Sequence, residues 1–551
     1  MVPGIPKLKR RIMKRRKFLQ ATTMLPFFPY TALEKEASGE NSINNENILR
    51  RLPDNDRRDF FYRPVNGWVG DVIPFYANGE FQLFYLLDWR DKEKHGEGIP
   101  WYRITTTDFV NFKEHGEAIP AGRKEDQDMI IGTGSVIKAN GQYHIFYTGI
   151  NAHLRQQGKP EQAVMHAVSD DMNQWRKLPE HTFFAPGEMY EPHDWRDPFV
   201  FWNGETNEYN MLVCARFKKG ISRRRGVTAF CVSKDLTKWE VKDPFYAPAL
   251  YFAHECPDLF KMGDWWYLLF SEFTDLVQTR YRMSRSLNGP WIIPERDNFD
   301  GHAFYAAKTA TDGKRRFIFG WNPTRKDSKD ADTLFSYTFF QAGYTSPADS
   351  RDFSTWDWAG NLVVHEIQQE KNGELTVRVP QTVTNAFSNP VKYAFTAGAG
   401  NFHLNNGVVN IKAPGTFEAA VAGKMPDTCK IKTIIEFEKN TRECGLMLRS
   451  SNDLDKAYYI RLEPKKNRLV FDMWPRYRSE VDHMVELERD IALAPATPVV
   501  LEVFIDGNKG VAYVNNTVAM NFRAYDMPEG NWGVFVTNGN ATFSNMSISS
   551  L

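Results

Sequence analysis

One strand-like run recurs five times in the middle of this chain. Phe81-Gln82-Leu83-Phe84-Tyr85, Tyr143-His144-Ile145-Phe146-Tyr147, Tyr209-Asn210-Met211-Leu212-Val213, Trp265-Trp266-Tyr267-Leu268-Leu269-Phe270 and Arg316-Phe317-Ile318-Phe319-Gly320 share one aromatic and aliphatic character. Four of them follow a glycine-containing turn: Asn78-Gly79, Asn140-Gly141, Asn203-Gly204 and Gly263-Asp264. Such pairs tolerate positive φ and close hairpins. A second motif follows in phase, as Asp108…Phe112, Ser169-Asp170…Trp175, Ser233-Lys234-Asp235…Trp239 and Ser284…Trp291. The spacing of about fifty to sixty-five residues fits one four-stranded blade with variable loops. A blade cannot bury both faces alone, so its neighbours must supply the core. Five units between about residue 60 and residue 340 predict a five-bladed β-propeller whose inner strands converge on a central funnel. Unrelated hairpins would not repeat two motifs in phase.

After Trp356 the composition shifts. Beyond about residue 385 the strands are short and alternating, as in Lys430 to Phe437, Tyr458 to Leu462, Arg468 to Met473, Val499 to Ile505 and Val511 to Val514, with Asp506-Gly507 closing a hairpin. This pattern predicts a C-terminal β-sandwich. No long helix pattern occurs in either part. The expected organisation is all-β: a propeller catalytic domain over 50–375 and a sandwich over 385–551. Residues 1–49 hold Met13-Lys14-Arg15-Arg16-Lys17-Phe18-Leu19-Gln20, then an apolar stretch from Ala21 to Ala32 and a polar spacer. Paired arginines before Phe-Leu predict export, to the periplasm or outside the cell, by the twin-arginine route. No other run approaches the length of a membrane span.

The charge balance narrows the partners. The 69 Lys+Arg against 68 Asp+Glu leave no general pull on nucleic acid or an anionic membrane, so an uncharged polymer is expected. Aromatics make up 14% of the chain, which suits sugar stacking and a large β core equally. The cysteines, Cys214, Cys231, Cys256, Cys429 and Cys444, are odd in number and form no CxxC pair; buried free thiols are expected rather than disulfides or zinc.

Three carboxylates stand where a plain strand has no use for one. Asp71 lies in Trp68-Val69-Gly70-Asp71-Val72-Ile73-Pro74, just ahead of the first repeat strand. Asp197 lies in Trp195-Arg196-Asp197-Pro198, and Glu255 in His254-Glu255-Cys256-Pro257-Asp258. Each has a structural alternative: a turn aspartate, an ion pair with a neighbouring arginine, a capping glutamate. Gathered in one funnel, they would suffice for hydrolysis of a glycosidic bond. Trp89, Trp101, Trp195 and Trp321 are candidates for stacking on sugar at the mouth, with blade core as the plainer reading of each. The basic run Lys218 to Arg225 reads as a solvated loop.

These islands, in this order, resemble glycoside hydrolase family 32, which holds invertases, levanases, inulinases and fructosyltransferases. Trp68 to Pro74 is similar to the family's Trp-Met-Asn-Asp-Pro-Asn-Gly motif, Arg196-Asp197-Pro198 to its Arg-Asp-Pro and Glu255-Cys256 to its Glu-Cys. Gly132-Thr133-Gly134-Ser135, Phe304 to Ala307 and Trp358 to Gly360 also resemble family landmarks. The resemblance implies Asp71 as nucleophile, Asp197 as transition-state stabiliser and Glu255 as acid/base. It also implies Trp68, Arg196, Cys256, Tyr305 and Trp321 around the substrate, and no metal or organic cofactor. It implies a retaining hydrolase of β-fructofuranosides of sucrose, levan or inulin type. The chain departs from the family at Gly70, where Asn is usual, at Leu86-Leu87-Asp88 in place of a Gln, and at His302-Ala303 in place of an Asp. Those family positions help hold fructose. An inverting arabinofuranosidase or xylosidase on a similar propeller, fructosyl transfer, and carbohydrate binding without turnover remain alternatives.

Overall fold

The computed structural model describes residues 56–325 except 303, residue 352, and residues 356–551 except 401, 476, 479–480 and 483–486. The export signal expected over residues 1–49 falls outside them. Among the described residues no helix is long and apolar enough to cross a membrane.

The repeat strands are the second strands of five antiparallel blades. The first blade runs Trp68–Ala77, Glu80–Asp88, Trp101–Thr106 and Asn111–Ile119. The second is Ile130–Ala139, Gln142–Ile150, Gln162–Ser169 and Arg176–Lys177. The third is Tyr190–Asn203, Glu208–Phe217, Gly226–Ser233 and Glu240–Tyr246. The fourth has Glu255–Met262, Trp265–Glu272 and Gln278–Ser284, with the bridge Met283–Ile292 where an outer strand would lie. The fifth is Tyr305–Thr311, Arg316–Arg325, Trp356–Gln369 and Leu375–Arg378. Each blade's first strand packs against the first strands of its two neighbours, and the fifth against the first, so the ring is closed.

Local chemistry explains the repeat. Asn78 (φ 56°) with Gly79 (φ 84°), and Asn140 (φ 50°) with Gly141 (φ 84°), put two left-handed residues in each hairpin turn, which matches the strand twist. The expected Asn203-Gly204 turn is different: the connection is longer, and Asn207 (φ 53°) supplies the left-handed residue. The second motif is a side-chain-capped turn between third and fourth strands. Thr106, Ser169 and Ser233 accept backbone N–H bonds from the residues that follow, and Asp108, Asp171 and Asp235 accept the next pair. In the second blade the capping acid is thus Asp171, not the Asp170 that the sequence pattern suggested. Each turn drives one apolar side chain inward: Phe109, Met172 or Leu236.

The first strands share one irregularity. Their pairing slips by one residue at Gly70-Asp71, Gly132-Thr133, Asp197-Pro198, Cys256-Pro257 and Ala306-Ala307, where two residues of the first strand oppose one of the second. A β-bulge re-aims side chains and bends the strand. Asp197, Cys256 and Ala306 take left-handed φ values of 59°, 52° and 50° there. Such a residue costs about 1–2 kcal/mol, so the regular ladder on either side must hold it.

Residues 389–550 form two layers around a core that includes Ile431, Leu446, Leu501 and Val534. The strand Asn531–Ser550 bends at a register shift and serves both: its first half pairs with Glu443–Ser450, its second with Thr428–Phe437. The β-sandwich is therefore present. It meets the propeller through polar contacts: Arg523 donates to the carbonyls of Asn322 (2.7 Å) and Pro323 (2.6 Å), and His365 bridges Asp300 and Tyr513 at 2.8 Å each. All five cysteines are free and buried.

Candidate active site

The five bulges face one cavity of about 900 Å³. Its lining includes Asp71, Thr133, Asp197, Glu255 and Tyr305, one from each blade's first strand, but no residue beyond a bulge in those strands. The first strands therefore run inward from the mouth, and the carboxylates sit at the floor.

Asp71 is held through both oxygens. The Thr133 hydroxyl donates to Oδ2, and the Trp321 indole N–H donates to Oδ1 at 3.2 Å. Asp197 Oδ2 accepts the Cys256 backbone N–H at 2.9 Å. The Asp197 N–H donates to the Thr148 hydroxyl at 2.7 Å, and that hydroxyl donates to the Thr133 carbonyl at 2.9 Å. Glu255 accepts from Arg196 Nη2 (3.0 Å) on Oε1 and from the Tyr305 hydroxyl (2.5 Å) on Oε2. Arg196 also pairs with Asp194 at 2.9 Å and lies 3.9 Å from Asp197 Oδ2. The Cys256 thiol sits among these groups, 3.8 Å from Asp71 and from Asp197. Burial first, then the charges of Asp197 and Asp71, keep that thiol protonated.

Burial dominates the electrostatics. It pushes the Asp71 carboxyl up to about 7, helped by the charges of Asp197 and Glu255 and opposed by the Thr133 and Trp321 donors. Glu255 is also raised, by burial and by Asp197, against the pull of Arg196 and Tyr305. Lys308 lies beneath, almost wholly buried, its ammonium on the Pro257 carbonyl at 2.8 Å.

Among the expected residues, Asp71, Asp197, Glu255, Arg196, Cys256 and Tyr305 all meet at the cavity. Trp68 does not line it; the Arg63 and Arg90 guanidiniums cover its ring at 4.4 and 4.7 Å. Trp321 is fully buried and reaches substrate space only through Asp71, so it cannot stack at the mouth. Trp101 and Trp195 are likewise blade core, while Trp89 stacks on His95. The basic run is not simply solvated: Lys218 lines the cavity and Arg225 pairs with Glu191 at 2.7 Å. His254 is buried against Thr228, and Asp258 accepts the Thr309 N–H at 2.6 Å; neither lines the cavity.

Some participants had no role from sequence. Thr148 was not named at all, and Thr133 and Trp358 entered only inside family-like segments; the structure shows them as clamp, bulge and wall. Trp358 lines the cavity and explains Gly70: a Cβ at that glycine would lie 2.5 Å from its Cη2. Asp88 belongs to the same device. It pairs with Arg90 at 3.0 Å, and Arg90 donates to the Trp358 carbonyl at 2.8 Å.

Comparison with known proteins fits this arrangement. Residues 61–347 match the model of the glycosyl hydrolases family 32 N-terminal domain. A sucrose-6-phosphate hydrolase of Vibrio alginolyticus is 27% identical over 296 residues, 50% of this chain and 58% of that protein. A levanbiose-producing levanase of Bacillus subtilis (strain 168) is 27% identical over 293 residues, 50% of this chain and 51% of that protein. The match thus spans only about half the length of these curated relatives. The solved sucrose-6-phosphate hydrolase of Lactobacillus gasseri superposes with a TM-score of 0.64 at 18% identity, covering 91% of this chain and 94% of that one. That likeness shows the fold. The family match covers more than half of the chain and contains every blade's first strand and all three carboxylates: the chain belongs to glycosyl hydrolases family 32.

Proposed function

We propose that this chain is a retaining glycoside hydrolase acting on β-fructofuranosides. The observation that carries the reading is the convergence of Asp71, Asp197 and Glu255 on one cavity floor, each already bound to donors. The Asp71 carboxylate attacks the anomeric carbon as the bond to the leaving oxygen breaks. Glu255 gives that oxygen its proton. A fructosyl ester of Asp71 results. Glu255, now a carboxylate, takes a proton from water, whose oxygen attacks from the face the leaving oxygen vacated, opposite Asp71, as the ester bond breaks and frees the Asp71 carboxylate. Asp197 accepts hydrogen bonds from sugar hydroxyls, and these tighten as the ring gains oxocarbenium character. Raised proton affinity suits Glu255 as the acid, while the Thr133 and Trp321 donors favour the ionised Asp71 that attack requires. The chemistry needs no cofactor.

The relatives' names, sucrose-6-phosphate hydrolase and levanase, support fructosyl donors. A binding protein without turnover has no use for a proton donor clamped beside a second acid. The test is methanolysis of sucrose, levan, inulin and an arabinofuranoside, with product configuration read by NMR. Methyl β-fructofuranoside is expected, with activity lost in Asp71→Asn and Glu255→Gln. An α product, turnover of the arabinofuranoside alone, or an active Asp71→Asn would refute the reading. The arginine pair at Arg15-Arg16 supports export of the protein, and a reporter fused to residues 1–49 should leave the cytoplasm only where the twin-arginine translocase is present.

A further inference from the structure

Above the carboxylates, one wall of the cavity carries two hydrogen-bond donors that the proposed chemistry does not use. Gln162 opens the third strand of the second blade, opposite Ile150. Its Oε1 accepts the Trp195 N–H at 3.1 Å and lies 3.4 Å from Arg196 Nη1. Both partners are donors, so the amide oxygen must face them and the NH2 group turns the other way. His193 lies in the third blade, on the mouth side of Asp197. Its Nδ1 accepts the Glu161 N–H at 3.2 Å, which leaves the ring proton on Nε2. Both side chains line the cavity and are half-buried. Among the described residues, neither the Gln162 NH2 group nor the His193 Nε2–H has a hydrogen-bonded protein partner.

The charged groups around them are already engaged. Glu191 holds Arg216 at 3.1 Å and Arg225 at 2.7 Å, and the Arg216 guanidinium covers the Phe252 ring at 3.4 Å. Asp194 holds Arg196 at 2.9 Å, Glu161 takes Arg155 at 3.1 Å, and the Lys218 ammonium donates to the Gly187 carbonyl. Arg196 ties the two unused donors to the reaction. Its Nη2 donates to Glu255 at 3.0 Å while its Nη1 reaches Gln162. One guanidinium thus separates the Gln162 amide from the acid that protonates the leaving oxygen.

Whatever is attached to that oxygen fills the space before the two donors and displaces the water they face. A donor then left without an acceptor costs more than its bond would have contributed. Hydroxyl oxygens on the departing unit replace that water; a plain alkyl chain strands both donors. Building on the proposed hydrolase activity, we propose that Gln162 and His193 select the leaving group, donating to its hydroxyl oxygens, so that sugars and polyols are preferred over simple alcohols of similar size. Asp71 and Glu255 act as on any fructoside; the two donors decide which departing unit is held.

The experiment has two arms. In the native protein, with sucrose as donor, glycerol and 1-propanol compete for the fructosyl ester. They are similar in size and enter where the leaving group departed, so transfer to glycerol should exceed transfer to propanol by at least about tenfold. In Gln162→Met and His193→Phe, which keep bulk and lose the donor, kcat/KM is measured for sucrose and for methyl β-D-fructofuranoside. The sucrose value should fall by about three- to tenfold, mainly through KM, while the methyl value stays within about twofold. Thermal unfolding checks the variants, and where one fails to fold the native arm decides. Equal transfer to the two acceptors, or a sucrose-to-methyl ratio that either folded variant leaves unmoved, overturns the inference. Fructoside cleavage that Asp71→Asn abolishes keeps the hydrolase reading whichever way the ratio falls. Failure to cleave either fructoside removes both.

Discussion

Trp321→Phe isolates one donor to the proposed nucleophile. The indole N–H reaches Asp71 Oδ1 at 3.2 Å from a side chain with no exposed surface, so no water stands ready to replace it. That bond favours the ionised carboxylate and opposes the burial that pushes Asp71 up to about 7. A hydrogen bond to a charged group contributes about 1.5–3 kcal/mol. Its loss should raise the proton affinity of Asp71 by about one to two pH units. The productive form carries its proton on Glu255 and none on Asp71. Both groups are raised, so they titrate as a pair and neither limb of the profile belongs to one residue. Disfavouring ionised Asp71 moves the optimum of kcat/KM to higher pH, and to the extent that the shared proton already rests on Asp71 it also lowers the productive fraction, by up to about 10- to 100-fold. The assay is kcat/KM against pH in the free-enzyme regime. Thermal unfolding of the variant serves as the check on folding. Thr133→Val removes the other donor and should move the optimum the same way. An unshifted optimum in a stably folded Trp321→Phe would refute the argument that this donor sets the charge of Asp71.

Thr148→Val should cut kcat/KM by about 10- to 100-fold by leaving the buried Asp197 N–H without its acceptor, and Thr148→Ser should restore it; steady-state kinetics of both decide. Gly70→Asn should destabilise the fold by about 1–3 kcal/mol in denaturant titration, because its Cβ would meet the Trp358 ring at 2.5 Å, and adding Trp358→Ala should return most of that loss. Burial lowers His166 to about 3 and also depresses His144, which it contacts at 3.0 Å. The unfolded chain therefore binds these protons first, so stability is full above about pH 6.5 and declines toward pH 3 by up to about 1.4 kcal/mol per pH unit per histidine. His166→Leu should flatten that slope in denaturant titrations at pH 7 and 5.

The propeller was legible because its turns carry their own chemistry. Asn78-Gly79 and Asn140-Gly141 announce left-handed hairpins, and the Ser/Thr-x-Asp turns announce the third-to-fourth strand connection. Asn203-Gly204 misled because the same dipeptide can begin a longer loop whose left-handed residue comes later, at Asn207. The carboxylates could be read because acids are out of place beside Val and Ile in a strand. The roles of Thr133, Thr148 and Trp358 could not be, since a neutral residue in a strand looks alike whether it packs or positions. Aligning the five first strands on their bulges would have set Thr133 beside Asp71 and exposed its role. For Trp68 and Trp321 the residue type alone does not separate a face open to sugar from one closed by Arg63 and Arg90 or by the core. Gly70 read as a lost polar contact; its physical reason, room for Trp358, depends on a strand almost three hundred residues away.

The pattern of holding bonds ties the site to the closed ring. Asp71, in the first blade, is held from the second by Thr133 and from the fifth by Trp321. Asp197, in the third, is held from the second by Thr148 and from the fourth by the Cys256 N–H. Glu255, in the fourth, is held from the third by Arg196 and from the fifth by Tyr305. Each carboxylate is thus fixed by its two flanking blades. Three acids this close would repel one another and drift apart on a flexible scaffold. Here no carboxylate can move without breaking a bond to a neighbouring blade, and no blade can tilt without releasing a carboxylate. Because the clamp is drawn from the bulges rather than from the outer loops, residues such as Leu86 and Trp358 can change the cavity wall while the three acids stay in place. The same logic separates two kinds of variation in this fold: changes at the rim alter what enters, and changes at the bulges decide whether anything reacts.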